Sequence, residues 1–391
     1  MQTHARAVAV TILAVLAACR ATSNPAQPAD SPERAASGST VPGQYVVVFH
    51  DNVADPAALA RQLVTTAGGS LLHVYTSAIK GFAARLSPAA VDVLRLNPAV
   101  AFVEADQVMS ADATQSMDAN GDPWGLDRID QGALPLSGTY TYTSSGAGVN
   151  AYIIDTGIWT LHAEFGGRAD NVFDAYHATG EDCNGHGTHV AGTIGAATYG
   201  VAKSVSLHGV RVLSCAGLGL TSDVIAGVDW VTANHVSPAV ANMSLGGGKS
   251  AALDQAVTNL YNSGVFLAVA AGNDNVDACT ESPSGAPSVF TVAASERTDA
   301  KASYSNWGTC VEVYAPGSSI KSTFLGGTTM TLSGTSMATP HVVGVAALYK
   351  ATNGDQPSAT VADWIITNST AGVITGNGNG TPNRLLFKAT L

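Results

Sequence analysis

The chain has 391 residues, of which 46% are hydrophobic and 12% charged, with 41 glycines. Such a composition supports a sizeable buried core and excludes both a disordered chain and a long charged coiled coil. Lys plus Arg number 18 against 29 Asp plus Glu, a net charge of −11, which argues against nucleic acid as a partner because phosphate binding needs a basic surface.

Met1–Arg6 carries His4 and Arg6, and Ala7–Ala18 is an apolar run interrupted only by Thr11. The run is too short to cross a bilayer and suits the core of a signal peptide, residues 1–19. It ends Leu16-Ala17-Ala18-Cys19, which resembles the bacterial lipoprotein cleavage box. The alternative is an ordinary signal peptide with a chance cysteine. Residues 20–43 hold Pro25, Pro28, Pro32 and Pro42 among Ser and Ala and read as a flexible tether.

Residues 44–108 follow with strands expected over Gln44–Phe49, Leu71–Tyr75, Phe82–Leu86 and Val100–Glu104. Helical spacing of apolar residues places helices over Pro56–Ala67 and Ser87–Asn97. The order βαββαβ predicts a small ferredoxin-like α+β sandwich with no catalytic constellation.

From about Trp124 apolar strands alternate with helices. Strands are expected at Val149–Ile154, Val205–Leu213, Val240–Leu245, Val265–Ala271, Val289–Ala294 and Val311–Tyr314. Helices are expected at His186–Ala197, Ser222–Asn234, Leu253–Ser263 and Thr335–Lys350. This alternation predicts an α/β unit whose mainly parallel sheet is covered by helices on both faces. Ligands bind at the carboxyl ends of such strands.

Asp155 follows the first of these strands, before Thr156-Gly157; alone it is an ordinary turn residue. His186 lies in Asn184-Gly185-His186-Gly187-Thr188-His189 at a helix start. His186 and His189 could pair on a metal, but no nearby Glu completes a zinc-protease helix. Ser336 opens another helix, where it could be a simple N-cap, although a helix N-terminus also favours developing negative charge. Asn273 follows Ala270-Ala271-Gly272, and alone reads as a turn residue. The order Asp, His, Ser matches one of the known orders of the serine triad, and a side-chain amide on a separate loop supplies an oxyanion donor.

Together Ile154-Asp155-Thr156-Gly157, Asn184–Gly192, Ala271-Gly272-Asn273 and Gly334-Thr335-Ser336-Met337-Ala338-Thr339-Pro340 resemble the subtilisin-like serine proteases, specifically the proteinase K and aqualysin branch. The resemblance runs from about Trp124 to the end. It implies that 44–108 is an inhibitory, chaperone-like propeptide and 113–391 the peptidase domain. It implies Ser336 as nucleophile, His186 as base, Asp155 as its orienting partner and Asn273 as oxyanion donor. Substrate would lie between Gly217-Leu218-Gly219 and Ser244-Leu245-Gly246, with Ala270, Ala271 and Gly272 lining the primary pocket. Those small uncharged residues suggest broad acceptance of apolar or aromatic side chains.

There are five cysteines, an odd number that leaves one unpaired in an exported protein. Spacing alone permits three pairings of four cysteines; the resemblance implies Cys183 with Cys215 and Cys279 with Cys310, leaving Cys19. It also implies structural calcium, at the carbonyls of Pro287 and Val289 with Glu312, and at Asp127, Asp130 and Gln131. In the second set the remaining ligands would fall at Ser137 and Thr139, where an acid and an amide are expected. Asp118-Ala119-Asn120-Gly121-Asp122 lacks the later Gly and Glu of a calcium loop and reads as a plain acidic loop. No catalytic cofactor is implied. The expected product is a secreted bacterial monomer acting on proteins and peptides, its own propeptide the intramolecular inhibitor. Membrane contact would come only through a lipid on Cys19 of the precursor. Self-cleavage is expected between Met109 and Thr114. The resemblance favours Ala113 as the new N-terminus, whereas an apolar pocket favours cutting after Met109. An esterase built on Ser336 fails because its Asp and His would have to follow the Ser, and only His341 does. A catalytically dead binding module has little support, because the triad residues and the oxyanion Asn are all present.

Overall fold

The structure is a computed structural model that describes residues 40–50, 52–76, 80–107 and 113–391. The signal peptide, the Cys19 box, most of the tether and the cleavage region at 108–112 lie outside the described residues. The described residues form two compact units, one over 41–107 and one over 113–391.

In the first unit the elements are β1 (Thr40–Phe49), α1 (Pro56–Thr66), β2 (Ser70–Tyr75), β3 (Gly81–Arg85), α2 (Pro88–Arg95) and β4 (Val100–Gln107). The sheet order is β2-β3-β1-β4, and β3 runs antiparallel to both β1 and β2. Strand β1 begins within the stretch assigned above to the tether. The reason is visible at Gly43, whose carbonyl accepts Leu86 N–H at 3.0 Å and prolongs the pairing with β3. Each helix starts with proline at its first turn behind a side-chain cap, Asp55 to Ala58 N–H and Ser87 to Ala90 N–H. Ala60 and Val64 of α1, and Ala90, Val91 and Leu94 of α2, recur at helical spacing. They pack with Val47, Phe49, Phe82 and Ala84 in one core.

The second unit opens with β5 (Ala113–Ser116), α3 (Trp124–Ile129), β6 (Thr139–Tyr142), β7 (Asn150–Asp155), β8 (Ala169–Asp174) and α4 (His186–Gly195). It continues with β9 (Ser206–Arg211), α5 (Thr221–Asn234), β10 (Ala239–Met243), β11 (Gly247–Gly248), α6 (Ala251–Asn262) and β12 (Phe266–Ala270). Next come β13 (Glu281–Ser282), β14 (Phe290–Ser295), β15 (Val313–Pro316), β16 (Ile320–Phe324) and β17 (Thr328–Leu332). The chain closes with α7 (Thr335–Asn353), α8 (Ser358–Asn368), β18 (Thr370–Ala371) and β19 (Arg384–Leu385). The main sheet has the order β18-β19-β15-β14-β12-β10-β7-β9-β8 and is parallel except for the β18–β19 pair.

Alternation along each strand feeds two cores. Ala151 and Ile153 of β7, Val240 of β10 and Phe266 and Ala268 of β12 face α4 and α7, with Val190, Ile194, Val342 and Val345. Tyr152, Ile154, Ala241, Met243, Leu267 and Val269 face α5 and α6, with Val224, Val228, Leu253 and Val257. The parallel sheet covered on both faces is therefore borne out. The strand expected at Val311–Tyr314 lies instead at Val313–Pro316, while Glu312 N–H bonds the Thr291 carbonyl before it. Strand β8, the β16–β17 hairpin and α8 had no counterpart in the sequence reading. No described helix is long and apolar enough to cross a membrane.

Candidate active site

Asp155 closes β7 and is fully buried. His186 is the first residue of α4, behind Gly185 at φ 103°. Its Nδ1 lies 2.8 and 3.0 Å from the two Asp155 carboxylate oxygens, so the N–H donates to both. This close approach depends on Gly187. Its N–H donates to Thr156 Oγ1 at 2.9 Å, and a methyl group on it would run into the Gly157 carbonyl.

Asp182 fixes the turn ahead of His186. Its Oδ1 accepts Asn184 and Gly185 N–H, each at 2.9 Å, and its Oδ2 accepts Thr188 N–H at 3.0 Å and the Thr188 hydroxyl at 2.5 Å. Burial pulls the His186 imidazole down, but the charge and hydrogen bond of Asp155 and the charge of Asp182 push it up. The balance lies above the ordinary histidine range. His189 has another role: its Nε2–H donates to the carbonyls of Ile320 (3.0 Å) and Met330 (3.1 Å), and burial depresses it to about 4. It pins the β16–β17 hairpin to α4, and the pairing of His186 with His189 on a metal does not form.

Ser336 stands in the first turn of α7. Pro340, four residues on, has no N–H for the Ser336 carbonyl; the Ser244 hydroxyl donates to that carbonyl instead, at 2.8 Å. In return Ser336 Oγ donates to the Ser244 carbonyl at 3.1 Å. No hydrogen bond joins Ser336 to His186 among the described residues, a looseness common in sites without substrate. Asn273 follows β12. Its Oδ1 accepts Thr335 N–H (2.8 Å) and the Thr335 hydroxyl (3.0 Å), which orients the amide so that Nδ2 is left as a donor. A buried carboxylate bonded to an imidazole, a serine at a helix start and an oriented amide on a third loop can together perform acyl transfer.

Residues 146–386 match the model of the subtilase family of peptidases, and residues 44–112 match that of the peptidase inhibitor I9 family. The chain belongs to the subtilase family. The extracellular serine proteinase of Thermus sp. (strain Rt41A) is 48% identical to it, over 96% of this chain and 97% of the relative. The alkaline serine exoprotease A of Vibrio alginolyticus is 52% identical, over 81% of this chain and 60% of the relative. A crystal structure of a cold-adapted subtilisin-like serine proteinase superposes with a TM-score of 0.67 at 52% identity, covering 68% of this chain and 97% of the other. The protein is thus a subtilisin-like serine endopeptidase preceded by an inhibitor-type unit.

In this subtilase, Gly217, Leu218 and Gly219 on one side and Ser244, Leu245 and Gly246 on the other line a cavity of about 350 Å³ that also contains His186. Leu218 is 73% exposed. Ala270 ends β12, with Ala271 and Gly272 just after it, and these three are not among the residues that line that cavity. The Ala271 side chain is fully buried, in a cluster with Val311, Tyr314 and Leu385.

Cys183 is bonded to Cys215 and Cys279 to Cys310. The first bridge joins the turn before His186 to the segment before Gly217, and Asn184 Nδ2 donates to the Cys215 carbonyl at 3.0 Å.

The two calcium sets differ. Glu312 Oε2 accepts Thr291 N–H at 2.5 Å. Burial pushes its carboxyl up to about 8 against that bond and the charge of Arg384. No cationic side chain pairs with it within 4 Å among the described residues. A carboxylate largely withdrawn from water, with no cationic partner and held beside Thr291, fits an oxygen-seeking cation. In the second set most of the side-chain oxygens accept hydrogen bonds from the protein. Asp127 Oδ1 accepts Ser137 N–H (3.0 Å) and its hydroxyl (2.9 Å), Oδ2 accepts Gly138 N–H (2.7 Å), and Gln131 Oε1 accepts Ser137 N–H (2.9 Å). Asp130 Oδ2 accepts Thr141 N–H at 2.7 Å. The second Asp130 oxygen takes no such bond from another described residue, and burial pushes that carboxyl up to about 6. In the 118–122 loop Asp118 likewise bonds Asn120 N–H, Asp122 N–H and Lys321.

Sequence reasoning missed Asp182 and Thr335. Asp182 had a local signal, an Asp two and three residues ahead of the N–H groups it caps. Thr335 had none, because its role depends on where Asn273 arrives.

Proposed function

We propose that this subtilase cleaves extended protein substrates by way of an acyl-enzyme. Ser336 Oγ attacks the peptide carbonyl while His186 takes its proton and then delivers it to the leaving amine. Asp155 holds the imidazole with Nδ1–H toward itself and stabilises the imidazolium. Asn273 Nδ2 and the Ser336 backbone N–H donate to the oxyanion. Substrate pairs as an added strand between the Gly217–Gly219 and Ser244–Gly246 edges. The small walls at Ala270, Ala271 and Gly272 accept apolar and aromatic side chains. The observation that carries the reading is the buried Asp155 bonded to His186, together with an Asn273 amide oriented by the residue next to Ser336. Ser336→Ala tests it: casein hydrolysis should fall by at least about 10⁴-fold with the melting curve unchanged. Persisting hydrolysis removes the mechanism.

The remaining features extend the same reading. Residues 44–108 act as an intramolecular inhibitor and folding aid, removed by self-cleavage between Met109 and Thr114. The signal peptide sends a monomeric enzyme outside the cell, and Cys19 carries a lipid only in the precursor. A membrane-bound Ser336→Ala precursor that Cys19→Ala makes soluble supports lipidation; a soluble precursor with Cys19 intact removes it. Calcium held at Glu312 and the carbonyls of Pro287 and Val289 is structural. EDTA should therefore shorten the half-life at elevated temperature while leaving the initial turnover rate unchanged. Instant, reversible loss of turnover would instead mark a catalytic metal.

A further inference from the structure

Gly272, at the inner end of the primary-pocket wall, adopts φ +104°, and a methyl group placed on it would come within 2.6 Å of Glu281 Oε2. That carboxylate comes from the short strand β13. There Glu281 pairs through its backbone with Gly248, two residues past the opposite wall at Ser244–Gly246. Glu281 therefore bridges the two segments assigned to the walls of the primary pocket, its backbone paired just past one and its carboxylate against the other.

The carboxylate is anchored but not neutralised. Oε2 accepts Asn306 Nδ2 at 3.0 Å, and the same amide donates to the Ala271 carbonyl at 2.9 Å. The neighbouring Lys249 ammonium reaches Asp254 (3.0 Å) and the backbone carbonyls of Glu281 (3.3 Å) and Gly285 (2.9 Å). Burial and the nearby Asp274 charge push the Glu281 carboxyl above its usual range, against the Asn306 bond. A second carboxylate thus adds negative potential to the same corner.

We infer that Glu281 is a specificity-determining residue that extends the primary pocket to cationic side chains. The aliphatic stem of a substrate Lys or Arg would lie along the small walls, as an apolar side chain does, and its charged end would meet Glu281. An acidic side chain at that position would be repelled. The inference rests on the proposed triad and pocket, and deepens them by naming a substrate class.

The test compares the matured enzyme and its Glu281→Gln variant on tetrapeptide nitroanilides that differ only in the residue before the cut. For the wild type, kcat/KM for Lys and Arg should lie within about tenfold of that for Phe, a gap of about 1.4 kcal/mol, and Glu should be far poorer. Glu281→Gln should lower the Lys and Arg values at least tenfold and leave Phe within about threefold, factors set by one partly exposed ion pair. Benzamidine, a cationic aromatic probe, should inhibit the wild type more strongly than neutral benzamide, a comparison that needs no variant. Wild-type values for Lys and Arg below about a hundredth of the Phe value, a gap of about 2.7 kcal/mol, would overturn the inference. So would an equal loss on all substrates in the variant, or equal inhibition by the two probes. If Phe cleavage depends on Ser336 while Lys and Arg are ignored, only this inference fails; if cleavage survives Ser336→Ala, the underlying mechanism fails.

Discussion

In the unit at 41–107 two short helices share a single core with a four-stranded sheet, and Phe102 and Val93 stay 52% and 69% exposed. In the catalytic unit the parallel sheet is covered on both faces, and α7 is buried along most of its length. A domain of about 65 residues buries a smaller fraction of its surface than one of about 280 and is correspondingly marginal. The small unit therefore depends on a few side chains such as Leu94. The large one has enough core to hold a reactive site in which a carboxylate, an imidazole and a serine come from separate elements. The contrast also suits the proposed roles, with a dispensable unit easily unfolded and cut and a lasting unit that is not.

That contrast can be broken from either side. On the catalytic side the largest effect should come from Asn273→Ala. Losing an oxyanion donor should cut kcat by about 10²–10³-fold while KM moves little. A large rise in KM with kcat intact would instead place Asn273 in ground-state binding. In the small unit Leu94→Ala should cost about 2–5 kcal/mol, enough to unfold that unit in the Ser336→Ala precursor at lower urea than the catalytic unit. The yield of active enzyme should drop, while any enzyme that matures keeps its normal kcat. Coincident unfolding of both units would erase the distinction. The smallest effect concerns pH. The base must be neutral to act, and Asp155 and Asp182 hold the His186 imidazolium above the ordinary range. The acid limb of kcat/KM should therefore lie above about pH 6.5. Asp182→Asn removes one of these charges, lowers the imidazole's pKa and moves the limb to lower pH. An unmoved limb would confine Asp182 to holding the turn.

Legibility in the sequence followed the same divide. The βαββαβ order could be read because helices and strands there carry clean periods, and the capping pairs Asp55-Pro56 and Ser87-Pro88 mark both helix starts. The buried strands β7, β10 and β12 could be read as apolar runs. Strand β8, Ala-Asp-Asn-Val-Phe-Asp, could not, because an edge strand facing water carries polar residues. The hairpin of β16 and β17 was hidden by its threonines, although Gly326-Gly327 marks the turn. At the site, Asp155, His186, Asn273 and Ser336 stand in recognisable local motifs. Glu281 does not: nothing around it in sequence indicates that its side chain rests on Gly272, and that placement follows from the pairing of β11 with β13.

The two disulfides bear on how the enzyme ages. Cys183–Cys215 encloses a stretch of chain with a separation of 32 residues, and Cys279–Cys310 one of 31. The first loop contains His186 and α4. An enzyme that cuts proteins is surrounded by copies of itself, so surface loops are nicked over time. A cut inside either loop releases no fragment, because both new ends stay joined through sulfur. A molecule nicked between 184 and 214 keeps His186 covalently attached to the rest of the fold and can close again around the break. On a non-reducing gel such molecules should run with the intact enzyme, and a reducing agent should separate them into pieces.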